Sequence, residues 1–221
     1  MRIALVLTIV AVVLWCGAAS AAFIVYDGDE AGYHAALTTY GLNTTLIGFD
    51  DLAKDDLVTT QYGGLGVNFI PGNGGVNVLR VDNDMNDVPP ISTPYCIQIF
   101  DNATMYTEFT SAFTAPVQTV ALWHGDVAAK NSNVFRVTLS NGGNTVGTFN
   151  CATSKNTSHF LGIIATGGDQ FDSALFSSRS LGDAWGLDNF EFQTVPEPSS
   201  LMLCGLGCIG IAAGWRRRRS K

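Results

Sequence analysis

The sequence predicts a mainly β fold: an antiparallel β-sandwich, jelly-roll-like, with one short N-terminal helix. Three observations predict it. Over residues 22–194, Gly, Asn, Thr and Asp abound while Lys is scarce and Glu occurs only as Glu30, Glu108 and Glu191. That mixture builds helices poorly and strands and turns well. About ten short apolar or alternating segments are separated by Gly- and Asn-rich turns, the pattern of a sandwich. A single stretch has helical spacing. No repeat of roughly 20–50 residues is visible, which argues against a propeller or solenoid.

The helix is expected over residues 29–40. Asp29 caps it and Glu30 suits its first turn. Tyr33, Ala36, Leu37 and Tyr40 recur at helical spacing, and Gly41 supplies the stop. Strands are expected at 45–49, 67–70, 98–100, 106–113, 118–123 and 134–139. The last turns through Ser140-Asn141-Gly142-Gly143-Asn144 into 145–149, a hairpin. Strands at 160–165, 171–177 and 185–192 complete the set.

Both ends read as processing segments. Met1-Arg2, an uncharged apolar run and Ala19-Ser20-Ala21 make residues 1–21 a secretory signal peptide. Cys16 is a bystander rather than a lipid-anchor site, because bulky Trp15 precedes it. Residues 22–194 are then one domain, large enough to bury a core without staples. That domain holds eighteen Asp/Glu and six Lys/Arg, a net charge of −12, whereas the whole chain carries −7. So acidic a surface repels phosphate backbones, which excludes nucleic acid as a partner.

Residues 195–221 contain Pro196-Glu197-Pro198, an apolar segment at 201–215 and the basic cluster 216–221. Fifteen apolar residues make about 22 Å of helix at ~1.5 Å per residue. That is short for a hydrocarbon core of ~30 Å, a mismatch that Trp215 and snorkelling arginines relieve. The arginines keep the C-terminus cytoplasmic and the domain outside. Cys204 and Cys208 read as small apolar filler within this segment.

This three-part tail resembles the PEP-CTERM sorting signal. The resemblance implies recognition and removal by an exosortase, a membrane cysteine protease of Gram-negative bacteria that make exopolysaccharide. It further implies a precursor held in the inner membrane and a mature form at the cell surface or in the extracellular matrix. A second resemblance lies in the domain. The helix, Leu46-Ile47-Gly48-Phe49-Asp50-Asp51-Leu52 and residues 58–69 are similar to the opening of many PEP-CTERM surface proteins. Phe160-Leu161-Gly162-Ile163 and Trp185-Gly186-Leu187-Asp188-Asn189-Phe190-Glu191-Phe192 are similar to their endings. What this implies is a β-sandwich ectodomain similar to carbohydrate-binding modules, with no activity attached. Trp185 stands where the family commonly has a smaller residue.

Asp82, Asp84 and Asp87 crowd one loop, as a hard cation such as Ca²⁺ requires, or as a solvated Asx-rich turn does. The loop is not an EF-hand, with Asp87 in the glycine position and Thr93 where the final Glu belongs. Asp50, Asp51 and Asp188 flank the first and last strong strands, so a structural Ca²⁺ clip between them is one reading and ordinary strand-end residues the other. Cys96 and Cys151 are a disulfide candidate in an exported protein, about 4 kcal/mol if formed, or two buried thiols. His34, His124 and His159 lack zinc-hydrolase spacing, and no Gly-x-Ser-x-Gly elbow occurs. Trp123 and Trp185, with Tyr62 and Tyr95, are candidates for stacking on sugar rings or for core packing. The function expected is a non-enzymatic surface or matrix component associated with exopolysaccharide and biofilm. A specific carbohydrate-binding module and a secreted glycan-active enzyme are the alternatives.

Overall fold

The computed structural model describes residues 22–72, 75, 77–100, 106–127, 134–181 and 184–194. The expected signal peptide and sorting tail lie outside the described residues. The described chain forms eleven strands and one α-helix. Strand β1 is Ala22–Asp27, α1 is Glu30–Tyr40, β2 is Thr45–Ile47, and a single 3₁₀ turn covers Gly63–Leu65. There follow β3 Val67–Pro71, β4 Val78–Asp82, β5 Cys96–Phe100 and the long β6 Tyr106–Gly125. The chain continues with β7 Phe135–Asn141, β8 Asn144–Cys151, β9 Ser158–Thr166, β10 Phe171–Leu181 and β11 Trp185–Thr194.

The strand pairings among the described residues are antiparallel, and β6 belongs to two layers. Its first half pairs with β3 and β10, and β7 and β8 extend that layer. Its second half pairs with β9 and β11. There β1 extends from β9, β5 and β4 extend from β11, and β2 pairs with the C-terminal half of β11. The sequence reads two strands here, 106–113 and 118–123. Instead Pro116 lies within one strand, in the stretch between Ala112 and Val117 where the register with β10 shifts, a position that suits a residue without an N–H. Strands β1 and β4 are additions to the expected set. The turn of the β7–β8 hairpin falls at Gly142 and Gly143, both at positive φ (56° and 78°), as the sequence requires.

The core fills the space between the layers with aromatic rings from both. Phe69 meets Phe190 at 5.1 Å between centroids, Phe113 meets Phe192 at 5.5 Å, and Phe135 meets Trp185 at 5.0 Å. Asn189, at φ 48°, makes a bulge in β11 that shifts its side-chain parity. Trp185 and Leu187 face inward before it, Phe190 and Phe192 after it.

Helix α1 covers the outer face of the second layer. The Asp29 carboxylate accepts from the Gly32 N–H at 2.9 Å, and Gly41 ends the helix in the left-handed conformation. Tyr33 and Leu37 are buried against Ala121, Phe160 and Ile164, while Tyr40 is exposed.

Candidate functional site

The outer face of the second layer beside α1 gathers the unexpected chemistry. Glu191 lies on β11, in register with Leu46 of β2 on one side and Ala121 of β6 on the other. It is only 7% exposed, and its Oε2 has no hydrogen-bond partner. Its Oε1 lies 3.6 Å from His34 Nε2, and that nitrogen lies 3.9 Å from Glu30 Oε1. Burial raises the Glu191 carboxyl above its ordinary range, against His34 and a hydrogen bond from Thr44. Glu30 Oε1 also accepts the Trp123 indole N–H at 3.1 Å. Trp123 is half-buried, edge-on to Phe160 at 5.7 Å. Sequence reasoning missed Glu191. The signal available was a glutamate on the outward parity of a strongly apolar strand, in a domain with only three glutamates.

The strand-end aspartates come together, as the pairing of β2 with β11 requires, but as anchors for the loop of residues 88–95. Asp188 is fully buried, and its Oδ2 accepts the N–H groups of Ile91 and Ser92, each at 2.8 Å. The Asn189 N–H and the Ser92 hydroxyl bond its Oδ1 at 2.7 and 3.1 Å. Desolvation pushes Asp188 up to about 6, opposed by these donors. Asp50 Oδ1 accepts the Tyr95 N–H at 2.8 Å, and the Tyr62 hydroxyl donates to Asp51. Asp50 and Asp51, with Leu46, Gly48, Tyr62 and Leu65, line a cleft of about 270 Å³. Leu46 and Leu65 are 56% and 49% exposed at its rim.

The acidic loop does not converge on one point. Asp82 pairs with Lys54 at 3.0 Å and Arg80 at 3.7 Å. Its burial is outweighed by the Asn83 N–H and these cations, which hold its carboxyl below the ordinary range. The Asp84 carboxylate accepts the Asp87 N–H at 3.1 Å, a local turn. Met85 between them is fully buried, seated on Gly125 and Gly186, where a Cβ at Gly186 would lie 2.4 Å from Met85 Cβ. The loop is thus a plug as much as a charge cluster. Among the described residues no three His, Cys, Asp or Glu side chains are grouped to hold a metal ion.

Two expectations are corrected by packing. Trp185 is 0% exposed, its indole N–H donating to Thr107 O at 3.2 Å, so it is a core residue and no sugar platform. Tyr62 is likewise buried, against Phe49 and Phe69. Cys96 and Cys151 do not pair: both are buried free thiols. Cys96 opens β5 beside Asp82 in the second layer, whereas Cys151 ends β8 at the far edge of the first. Burial raises both thiols, Cys151 to about 12, so they are poor nucleophiles.

The other histidines close one end of the sandwich. His124 and His159 are cross-strand neighbours with rings 5.5 Å apart. His124 Nδ1 bonds the Ser154 hydroxyl at 2.8 Å, and burial pushes the ring down to about 3, so it is neutral. His159 Nε2 bonds Asp27 Oδ1 at 2.7 Å.

Residues 194–219 match the PEP-CTERM protein-sorting motif. No curated protein matches the chain. Solved structures similar to it include the K2 cleaved adhesin domain of Lys-gingipain, with 10% identity and a TM-score of 0.45 over 69% of this chain and 100% of that one. A family 29 carbohydrate-binding module mutant complexed with mannohexaose shares 12% identity, TM-score 0.42, over 69% of this chain and 92% of its own. The CBM22-1 xylan-binding domain of a Paenibacillus barcinonensis protein shares 13% identity, TM-score 0.37, over 66% and 100%. At these scores nothing about ligand or activity transfers to this chain.

Proposed function

We propose that this chain, which carries a PEP-CTERM sorting motif at residues 194–219, is a non-enzymatic surface or matrix protein associated with exopolysaccharide. The sorting motif implies exosortase-targeted export from a membrane-held precursor. That match is the observation that carries the reading. The domain in front of it suits such a role: a densely packed sandwich, strongly acidic, with the half-buried Trp123 and carboxylates on one outer face.

Sorting is tested in cells. Replacing Pro196, Glu197 and Pro198 by alanine should leave the tail uncut and the protein in the inner membrane, as read by mass and fractionation. A surface form of normal mass and amount would overturn the exosortase reading.

Calcium remains proposed at one place. Asp188 is ringed by four donors and Asp82 pairs with two cations, whereas Asp50 and Asp51 at the cleft use Oδ1 for the Tyr95 N–H and the Tyr62 hydroxyl and meet no cation among the described residues. An ion there would complete its roughly six to eight oxygen ligands from backbone carbonyls and water.

A further inference from the structure

We infer that the outer face of the second layer beside α1 binds a neutral or amino-bearing saccharide, through Trp123, Glu30, His34 and Glu191. The inference rests on the proposed association with exopolysaccharide and names where the polymer is held.

The first argument is an acceptor without a donor. Glu191 is more than nine-tenths buried, yet its Oε2 meets no donor. A buried carboxylate oxygen left unpaired is costly; Oε2 has no exposed surface, so a ligand donor relieves that cost once the half-exposed His34 side chain moves aside. The same carboxylate faces His34, whose side chain is half-exposed, and His34 faces the equally exposed Glu30. The chain of groups therefore runs from a buried acceptor out to solvent.

The second argument is the indole. Glu30 fixes the Trp123 N–H, and Phe160 fixes the ring edge-on, so the ring is oriented before any ligand arrives. An oriented, half-buried aromatic beside carboxylates offers what a pyranose presents: apolar C–H groups on one face and hydroxyl donors around the rim. Pre-organisation lowers the entropy lost on binding.

Charge selects among saccharides. Two carboxylates at the site and a net −12 over residues 22–194 repel uronate or sulfate groups. Neutral hydroxyls donate without that cost, and a sugar ammonium gains a charge-assisted bond.

The test is affinity electrophoresis of the purified full-length protein in detergent. The gels contain a neutral glucan, mannan or xylan, chitosan, or alginate, and oligosaccharide titrations follow. Retardation is expected with a neutral or amino polymer and not with alginate. Trp123→Ala and Glu191→Gln should each weaken binding at least tenfold, and Leu65→Ala at the separate cleft should leave it unchanged. Glu30→Gln and His34→Ala, on exposed side chains, repeat the test should the first two fail to fold. Wild-type binding by all four variants would overturn this site while leaving the polysaccharide association intact. Absence of retardation by every polymer would overturn the association and the site together. Preference for alginate would overturn the charge argument.

Discussion

At the scale of single residues, Asp188 shows how a carboxylate that looks like a ligand in the sequence becomes a structural acceptor. A strand-end Asp beside an Asn reads equally as metal ligand or turn residue; only the tertiary placement of Ile91 and Ser92 decides. Buried with three N–H groups and a hydroxyl around it, the group is raised to about 6 because desolvation outweighs those donors. An acid with a raised pKa in the folded state holds its proton more tightly when folded. Its contribution to stability is therefore full below pH ~4 and is lost as pH rises through about 6, a change of ~3 kcal/mol. Asp188→Asn removes this titration. Unfolding free energies of the two proteins, measured by urea at intervals from pH 4 to pH 7, should differ by an amount that falls across that window. A pH-independent difference would show that the donors hold Asp188 at its ordinary pKa. Asp188→Ala should cost more at every pH, about 3 kcal/mol or above, because it leaves the buried N–H groups of Ile91 and Ser92 without an acceptor.

At the scale of elements, helix α1 was legible because its signals are local: a capping Asp29, apolar residues at helical spacing, and Gly41 at the end. Its docking was not legible. Tyr33 enters the layer over Gly162, where an added Cβ would lie 2.5 Å from the ring. The Thr119 hydroxyl donates to Ile163 O at 2.8 Å, so it accepts from the Tyr33 hydroxyl, also at 2.8 Å. The glycine and its ring are 129 positions apart in the sequence, and no propensity links them. Gly162→Ala should destabilise by about 1–3 kcal/mol through overpacking, since the Gly162 backbone itself accepts a side chain. The check is a lower urea midpoint at unchanged slope; an unaltered midpoint would mean that α1 shifts freely on the sheet. Strand β6 illustrates the opposite failure. The sequence reads strands at 106–113 and 118–123, and only pairing with strands of both layers makes them one element.

At the scale of the molecule, the sandwich class followed from composition and alternation, because those are summed over the whole chain and tolerate local errors. The candidate site did not follow. Trp123, Glu30, His34 and Glu191 come from three separate elements, and alternation tells the face of Glu191 but not that α1 overhangs it. The same gap explains Trp185, whose outer or inner placement depends on the bulge at Asn189. The remaining question at this scale is how a domain of net −12 tolerates its charge. Part of that charge is neutralised internally, as Asp82 with Lys54 and Arg80 shows. Among the described residues no cation pairs with Asp50 or Asp51, which share the cleft rim. Clustered carboxylates disfavour the compact state unless screened or bridged. A Ca²⁺ ion bound there only in the folded state would stabilise the protein by about 2.7 kcal/mol at a free concentration 100 times Kd. Simple screening predicts instead that Mg²⁺ or NaCl at matched ionic strength does as well. The expected result is a melting temperature that rises in millimolar Ca²⁺ above its value in EDTA and in matched Mg²⁺. That selectivity should disappear in Asp50→Asn/Asp51→Asn, which keeps oxygen acceptors for Tyr95 and Tyr62 while removing the charge. Equal responses to Ca²⁺ and Mg²⁺ in the wild-type protein would reduce the acidic rim to a screened surface.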